Sequence, residues 1–302
     1  MLTLEERLRL LRAPEGQIEM VLDTDAYNEV DDQFAIAYAL RAQRVILHAL
    51  YAAPFHNARS TGPEDGMEKS YDEIDKLLKL ANADIPLFKG SPRYLQNETT
   101  PVESPAARDL AARAMTYSTS NPLYVVAIGA ITNVASALLM APEIADRIVV
   151  VWLGGHAVEW PDTAEFNLQQ DVAAARVVFS SGAPLVILPC NGVVSAFTTT
   201  GPELEHWLLG HNALADYLVR QTVEEANSYA AGRVWSRVIW DVTVMGWLLG
   251  GNDRFVKTRF IPTPIPEYDH HYAFDPRRPF CAYVYHIHRD ALMGDLFATL
   301  TQ

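Results

Sequence analysis

The chain has 302 residues, and its 37 acidic and 24 basic side chains give it a formal charge of −13 and a pI near 5.1. Hydrophobic residues make up 49% and charged residues 20%, a composition typical of a folded enzyme and too apolar for a disordered chain. Binding to nucleic acid or to an anionic membrane surface needs clustered lysine and arginine, so both are disfavoured. The length allows one large α/β domain.

The cysteines and the N-terminal segment indicate the compartment. Cys190 and Cys281 lie far apart without a CxxC pair, which argues against a disulfide framework and against a zinc site. The first 16 residues mix charges with leucines and lack the apolar core of a signal peptide. No segment approaches the roughly 20 apolar residues that a membrane span needs. We therefore expect a soluble, cytoplasmic protein.

Apolar segments and amphipathic segments alternate along the first two thirds of the chain. After a short amphipathic helix, strands are predicted over residues 18–22, 45–53, 123–129, 147–155 and 184–190. Helical patterns lie between them, including QFAIAYALRA and the stretch MEKSYDEIDKLLKLANA with its single apolar stripe. Strands joined by crossovers of ten or more residues are typical of parallel βαβ units.

The remainder of the chain, from residue 202 onward, is predicted to be mainly helical. The stretch YVYHIH indicates one late strand, and RDALMGDLFATL indicates a closing helix. No linker rich in proline or glycine divides the sequence. We therefore predict one α/β domain over residues 1–302, with a mostly parallel open sheet flanked by helices, a Rossmann-like core and a helical C-terminal part.

Five carboxylates follow the first predicted strand within ten residues: Asp23, Asp25, Glu29, Asp31 and Asp32. Ligands of open α/β sheets bind beyond the carboxyl ends of the strands, so a site is expected here. Converging carboxylates repel one another unless a cation or a proton compensates them. Ca²⁺ or Mg²⁺ suits such a set of oxygen ligands. The alternative is a solvated acidic loop that caps the next helix.

Two other acidic motifs can be compared with this segment. An EF-hand is excluded, because the sixth position from Asp23 is Asn28 rather than glycine and the twelfth is Phe34 rather than glutamate. A strand followed by D-x-D is also found in haloacid-dehalogenase-like phosphatases, in which Asp23 would form the aspartyl-phosphate. That family usually has threonine or valine where Tyr27 stands.

Four motifs in order give the sequence a specific resemblance to a known family. The pattern D-x-D, loop, D-D-x-x-A-I resembles the inosine/uridine-preferring nucleoside hydrolases, although the loop of residues 26–30 is two residues longer and lacks Pro-Gly. The segments VVAIGAITNVASAL, AEFNLQQDVAAARVVFSSGAPL and VIWDVTVMGWLL resemble later motifs of that family. The short stretch ADIPLFKGSPRYL is also similar, so the resemblance covers nearly the whole chain.

The resemblance implies a calcium-dependent reaction. The carboxylates of Asp25, Asp32 and Asp241 and the main-chain carbonyl of Ile128 would be the ligands of Ca²⁺. Asp25 would also act as the general base toward water. The N-glycosidic bond of a nucleoside or related N-riboside would be hydrolysed to ribose and a free base. Family members serve purine and pyrimidine salvage and are commonly dimers or tetramers, so a homo-oligomer is expected.

Other positions are implied to hold the ribose. Asp31 would bind the 2′-hydroxyl, and Glu165 and Asn167 would bind other ribose hydroxyls. Helix capping is the alternative for Glu165 and Asn167, and an N-cap role is the alternative for Asp241.

The pattern also departs from the family. Trp240 stands where many members have a histidine that protonates the leaving base; it would stack on the base or pack as a core aromatic residue. Glu159 replaces an asparagine that contacts ribose, and we expect it at the substrate. His56 and His156 are candidate replacement acids, with ordinary structural roles as the alternative. Arg59 would suit a carboxylate or phosphate. A non-catalytic ribosyl-binding protein that keeps the metal site is a second hypothesis.

Overall fold

The computed structural model describes residues 2–302, and its centre is an eight-stranded sheet with the strand order β3-β2-β1-β4-β5-β6-β12-β9. Seven strands run parallel, and β9 is antiparallel to β12 at one edge. The strands of this sheet are β1 (Ile18–Thr24), β2 (Val45–Ala52), β3 (Leu87–Lys89), β4 (Leu123–Ala127), β5 (Ile148–Leu153), β6 (Leu185–Leu188), β9 (Val256–Pro262) and β12 (Phe280–Ile287). Two small sheets pair β7 (Thr198–Thr199) with β8 (Arg237–Val238) and β10 (Ile265–Pro266) with β11 (Tyr272–Ala273).

Eleven α-helices within residues 2–302 surround this sheet. They are α1 (Leu4–Leu10), α2 (Asp32–Arg41), α3 (Pro63–Ala81), α4 (Pro105–Ala114), α5 (Thr132–Met140), α6 (Phe166–Gln170), α7 (Val172–Ser180), α8 (Gly201–Leu208), α9 (Ala213–Ala230), α10 (Val242–Leu249) and α11 (Arg289–Leu300). In this described part of the chain, no helix combines the length and the apolar character that crossing a membrane requires.

The central strands form because they are apolar on both faces. Every residue of β4, β5 and β6 is buried, which is the pattern expected when helices cover both sides of a parallel sheet. The predicted mostly parallel sheet is therefore confirmed. Helices α8 to α11 confirm the helical character of the C-terminal part, but β9 was not predicted there. Its centre includes the exposed residues Arg259 and Phe260, so it shows no buried apolar run.

The strand order places a crevice at the end of β1. The chain passes from β1 to β2 and β3 on one side and then returns to β4 on the other side, so β1 lies where the order reverses. Asp23 is paired with Tyr51 of β2 and with Ala127 of β4. Such a switch point is where open α/β sheets bind ligands. The acidic segment that follows β1 enters this crevice.

A buried asparagine holds the loops around the crevice together. The Nδ2 atom of Asn133 in α5 donates to Asp23 Oδ1 at 2.7 Å and to the carbonyl of Ala52 at 3.3 Å. Its Oδ1 atom accepts from the main-chain N–H and the hydroxyl of Ser91. All four residues are buried, so each of these groups would lack water if the amide were removed.

We expect Asn133→Ala to lower the free energy of unfolding by about 1–3 kcal/mol, because it leaves buried donors and acceptors without partners. Urea unfolding followed by circular dichroism measures this. Asn121→Ala is the matched control: Asn121 is exposed, and its substitution should change the free energy by no more than about 0.5 kcal/mol. Equal effects of the two substitutions would contradict the role given to Asn133.

Candidate active site

Three buried carboxylates converge at the start of two helices. Asp31 and Asp32 lie at the N-terminus of α2, and Asp241 precedes α10. One carboxylate oxygen of each lies within 4.8 Å of the other two. These residues are far apart in the sequence and meet because both helices begin at the same end of the sheet. The spacing suits a shared cation with oxygen ligands.

The carboxylate of Asp25 lies beside this trio. Its side chain is buried, and neither carboxylate oxygen has a hydrogen-bond partner among residues 2–302. The main chain of Gly129, after β4, approaches it closely: a Cβ atom at that position would lie 2.9 Å from Asp25 Oδ1. A glycine is therefore required here for the carboxylate to keep its place. Buried, unpartnered carboxylate oxygens are costly unless a cation or a proton satisfies them.

The pKa values of these carboxyl groups are raised. Burial, and then repulsion by Asp32, raise the pKa of Asp31 to about 7. Burial raises the pKa of Asp32 to about 6, although the Thr24 hydroxyl that donates to it opposes the shift. The pKa values of Asp25 and Asp241 are also raised, first by burial and then by the neighbouring carboxylates. The residues present therefore fit a divalent cation, which would relieve both causes.

A cavity of about 300 Å³ opens beside the carboxylates. Within the described residues 2–302, its lining includes five acidic side chains and no lysine or arginine. The lining residues are Asn28, Glu29, Asp31, Asp32, Ile128, Leu153, His156, Ala164, Glu165, Phe166, Asn167, Gln169, Cys190, Asn191, Trp240 and Asp241. Eight of the predicted site residues thus line the cavity, whereas Asp25, His56 and Glu159 do not; the eight are Asp31, Asp32, Ile128, His156, Glu165, Asn167, Trp240 and Asp241.

Glu165 and Asn167 line the cavity, and their hydrogen bonds restrict what each can offer. Glu165 caps α6: its two oxygens accept from the main-chain N–H groups of Gly155, Asn167 and Leu168. Glu165 therefore makes the helix-capping contacts that were the alternative to a ribose-binding role. The Nδ2 atom of Asn167 donates to the carbonyls of Ile128 and Leu153, at 3.1 and 3.0 Å. Both of its N–H hydrogens are engaged, so Asn167 can offer a ligand only its Oδ1 acceptor.

His156 and Trp240 also line the cavity. The His156 ring is 9% exposed, and its Nδ1 atom accepts from the main-chain N–H of Asn191 at 3.3 Å. Its Nε2 atom lies 3.4 Å from Asn191 Nδ2, so both ring nitrogens face nitrogen atoms of Asn191. Burial lowers the pKa of His156, while Asp162, 4.0 Å from Nε2, raises it. Trp240 precedes Asp241 and is partly buried against the hydrophobic core, so its aromatic ring borders both the core and the cavity.

The structure does not bring His56, Glu159 and Arg59 to the cavity. His56 is exposed, and its main chain is bonded to the side chain of Gln170. Glu159 is 67% exposed and pairs with Arg259 at 2.9 Å. Arg59 pairs with Glu225 at 2.9 Å and is therefore engaged with a carboxylate of its own chain. Glu159 and Arg59 are thus paired with residues far from them in the sequence, and His56 is fixed through its main chain.

Sequence reasoning missed Asn28, Cys190 and Asn191. Cys190 and Asn191 follow the buried strand β6, so polar residues directly after an apolar strand were the signal that could have found them. Asn28 lies in the long loop after β1, where its Oδ1 atom accepts from Asn57 Nδ2 at 2.6 Å. This bond ties the loop after β1 to the loop after β2.

The geometry also bears on the phosphatase hypothesis, which needs Asp23 as a nucleophile. Asp23 is fully buried, and unlike Asp25 it is engaged: its Oδ1 atom accepts a hydrogen bond from Asn133 at 2.7 Å. A phosphate ester would find no lysine or arginine in the described part of the cavity wall. Both observations argue against phosphoryl transfer at this site.

Comparisons with known proteins agree on the family. The family profile described as inosine-uridine preferring nucleoside hydrolase matches residues 20–271. The chain is 29% identical over 260 residues to the non-specific ribonucleoside hydrolase RihC of Salmonella typhi, covering 78% of this chain and 79% of that protein.

Solved structures share the fold. A plant nucleoside hydrolase, PpNRh1, superposes with a TM-score of 0.74 and 18% identity, covering 94% of this chain and 99% of that one. The type III effector protein XopQ, in complex with adenosine diphosphate ribose, gives a TM-score of 0.72 and 18% identity, covering 99% of both chains. The chain belongs to the inosine-uridine preferring nucleoside hydrolase family. It is a nucleoside hydrolase enzyme that acts on N-ribosyl bonds of small nucleoside substrates.

The raised carboxyl pKa values predict how stability depends on pH in metal-free protein. A carboxyl whose pKa is raised by folding stabilises the fold below its unfolded pKa, near 4, and this contribution is lost as the pH rises through the folded value. We expect the free energy of unfolding in chelator to fall by about 2–4 kcal/mol between pH 5 and pH 8. Urea unfolding at both pH values measures it.

The variant Asp241→Asn serves as the comparison for this measurement. It removes a carboxyl whose own pKa is raised by burial and by Asp31, so the same pH change should lower its free energy of unfolding by less. A free energy that rises between pH 5 and pH 8 in the unmodified protein would contradict the assignment.

Proposed function

We propose that this enzyme is a Ca²⁺-dependent hydrolase that converts a nucleoside or related N-riboside into ribose and a free base. The observation that carries the proposal is Asp25, whose two buried, unpartnered oxygens adjoin the carboxylates of Asp31, Asp32 and Asp241. An arrangement with so much uncompensated negative charge is stable only with a cation or with bound protons. Ca²⁺ accepts a larger and less regular set of oxygen ligands than Mg²⁺ does, and this favours calcium.

The proposed ligands are the carboxylates of Asp25, Asp32 and Asp241 and the carbonyl of Ile128. That carbonyl accepts one hydrogen bond from Asn167, which leaves its second lone pair available. When bound, Ca²⁺ would compensate the carboxylate charge and polarise water. Asp25 would accept a proton from the attacking water as the general base.

The ribose would be held by hydrogen bonds of defined direction. Asp31 would accept from the 2′-hydroxyl, and Asn167 would accept from another hydroxyl through Oδ1, its only available group. Glu165 would fix the main chain of the cavity wall, because it accepts hydrogen bonds from three main-chain N–H groups there. The surrounding anionic side chains would stabilise the positive charge that develops on the sugar as the bond to the base breaks.

The base would occupy the part of the cavity bordered by Trp240 and His156. Trp240 would stack on the base, and the imidazole ring of His156 would contact it. A diphosphate such as that of adenosine diphosphate ribose would meet no lysine or arginine in the described lining. We therefore favour a nucleoside without phosphate groups as the substrate. His56 and Glu159 would need a rearrangement of their loops to contribute.

The cellular setting follows from this assignment as a further part of the proposal. We propose a cytoplasmic role in purine or pyrimidine salvage, and a homodimer or homotetramer in solution. Light scattering measures the oligomeric state. The alternative, a protein that binds ribosides without hydrolysing them, differs in one observable: it would bind a nucleoside in a Ca²⁺-dependent manner and release no ribose.

Asp25→Asn should lower kcat by about 100-fold or more, because the amide can neither accept the proton of water nor compensate a cation. A reducing-sugar assay over a nucleoside panel in Ca²⁺ measures it, and removal of Ca²⁺ by a chelator should have a similar effect. Asp84→Asn is the matched control, since Asp84 is exposed and remote from the cavity. Unchanged turnover by Asp25→Asn would refute the proposed base.

Gly129→Ala should weaken Ca²⁺ binding by at least about tenfold, because the added methyl group would lie 2.9 Å from Asp25 Oδ1 and displace the carboxylate. Isothermal titration calorimetry with CaCl₂ gives the affinity. Gly294→Ala in α11 is the control, since nothing lies within 4 Å of its added Cβ. If both variants bind Ca²⁺ as the unmodified protein does, Asp25 is not a ligand.

A further inference from the structure

The cavity wall is more negative than a single divalent cation can compensate. Five acidic side chains line it, and within residues 2–302 no lysine or arginine does. Arg237 pairs with Glu29 and so compensates one of these five acids. When the other four are ionised, a single divalent cation leaves part of their negative charge uncompensated. Such a field favours a positively charged ligand.

The side chains at the base end are poor proton donors. Trp240 carries no acidic proton. Both ring nitrogens of His156 face nitrogen atoms of Asn191, and burial lowers the pKa of the ring, which disfavours the protonated form that could act as an acid. The Cys190 thiol is buried near Glu165, and its pKa is raised well above the usual value. These side chains are therefore poorly suited to protonate a neutral base as it leaves.

The aromatic ring of Trp240 also favours a positively charged ligand. An indole face attracts a cation through its quadrupole, and the attraction is stronger in a cavity shielded from water. Trp240 stands next to Asp241, so a planar cationic ring stacked on it would also lie close to the carboxylate trio. The negative charge of the cavity, the indole face of Trp240 and the lack of a strong acid therefore all favour a planar, positively charged leaving group.

We propose that the preferred substrates are N-ribosides whose aromatic leaving group carries a formal positive charge, namely N-ribosylpyridinium ions or N7-alkylpurine ribosides. This rests on the proposed hydrolysis of N-ribosides at the same site. The C1′–N bond breaks, and its electron pair returns to the ring nitrogen and cancels the positive charge. The water oxygen bonds to C1′, and its proton passes to Asp25. The base leaves neutral, so no general acid is needed.

The test compares matched substrates in Ca²⁺. 7-Methylguanosine and guanosine differ in one methyl group and one charge; nicotinamide riboside represents the pyridinium class, and inosine and uridine complete the neutral set. We expect kcat/KM for at least one cationic riboside to exceed that of the neutral nucleosides by about 100-fold or more, the size of a general-acid contribution. The relative rates of 7-methylguanosine and nicotinamide riboside show which cationic class is preferred.

Two variants at one position separate charge selection from intrinsic reactivity. Trp240→His supplies an ionisable group, so it should raise kcat/KM for guanosine and lower the ratio of 7-methylguanosine to guanosine by about tenfold or more. Trp240→Phe keeps an aromatic face without an acid, so it should keep the ratio of the unmodified enzyme. For nicotinamide riboside, whose cationic ring has no proton to lose, the enzymatic pH profile should show no loss of activity at alkaline pH that an essential protonated acid would cause, because no acid has to remain protonated.

4-Nitrophenyl riboside distinguishes failure of this inference from failure of the proposed function, because its leaving group needs no protonation. Hydrolysis of this compound together with equal kcat/KM values for guanosine and 7-methylguanosine would overturn the cationic preference and leave the proposed function standing. A ratio that Trp240→His does not change would overturn it as well. No turnover of any compound, 4-nitrophenyl riboside included, would overturn both.

Discussion

Mutual repulsion among buried carboxylates is the constraint on which the organisation of this protein depends. Asp25, Asp31, Asp32 and Asp241 are removed from water and lie close together, and their pKa values are raised accordingly. The fold tolerates them because they lie at a switch point in the strand order, where the sheet leaves a crevice rather than a packed core. The same repulsion that costs stability creates affinity for a cation.

The rest of the site is arranged around this charge. The side chain of Asn133 joins the ends of β1 and β2 to the loop after β3, which holds the floor of the crevice together. Most hydrogen-bonding groups of Glu165 and Asn167 are engaged with the main chain. The Oδ1 atom of Asn167 therefore remains as an acceptor of fixed direction for a ligand. Trp240 and His156 line the same cavity and are both aromatic. The cavity therefore offers anionic groups to a ribose and an aromatic side chain to a flat base.

Much of this could be predicted from local patterns. The alternation of apolar strands with amphipathic helices predicted the parallel sheet, and the acids after β1 indicated where the site lies. The edge strand β9 escaped prediction because Arg259 and Phe260 are exposed, so no buried run marked it. Asp31, rather than Asp25, completes the tightest group of carboxylates, and ligand spacing of this kind is a property of three-dimensional distance. Asn191 was missed because its importance comes from a main-chain hydrogen bond to a residue 35 positions away.

The sequence by itself determined the family, the sheet and the residues that carry negative charge, since these follow from periodicity and from motifs that are contiguous in the chain. Only the tertiary structure decided which side chains share the cavity. His56 and His156 were equal candidates as acids; one is exposed beside Gln170, and the other lines the wall with its ring nitrogen held by Asn191. Glu159 and Arg59 are each paired elsewhere. The physical reason is that burial and ion pairing depend on contacts between distant segments, which local sequence patterns do not encode.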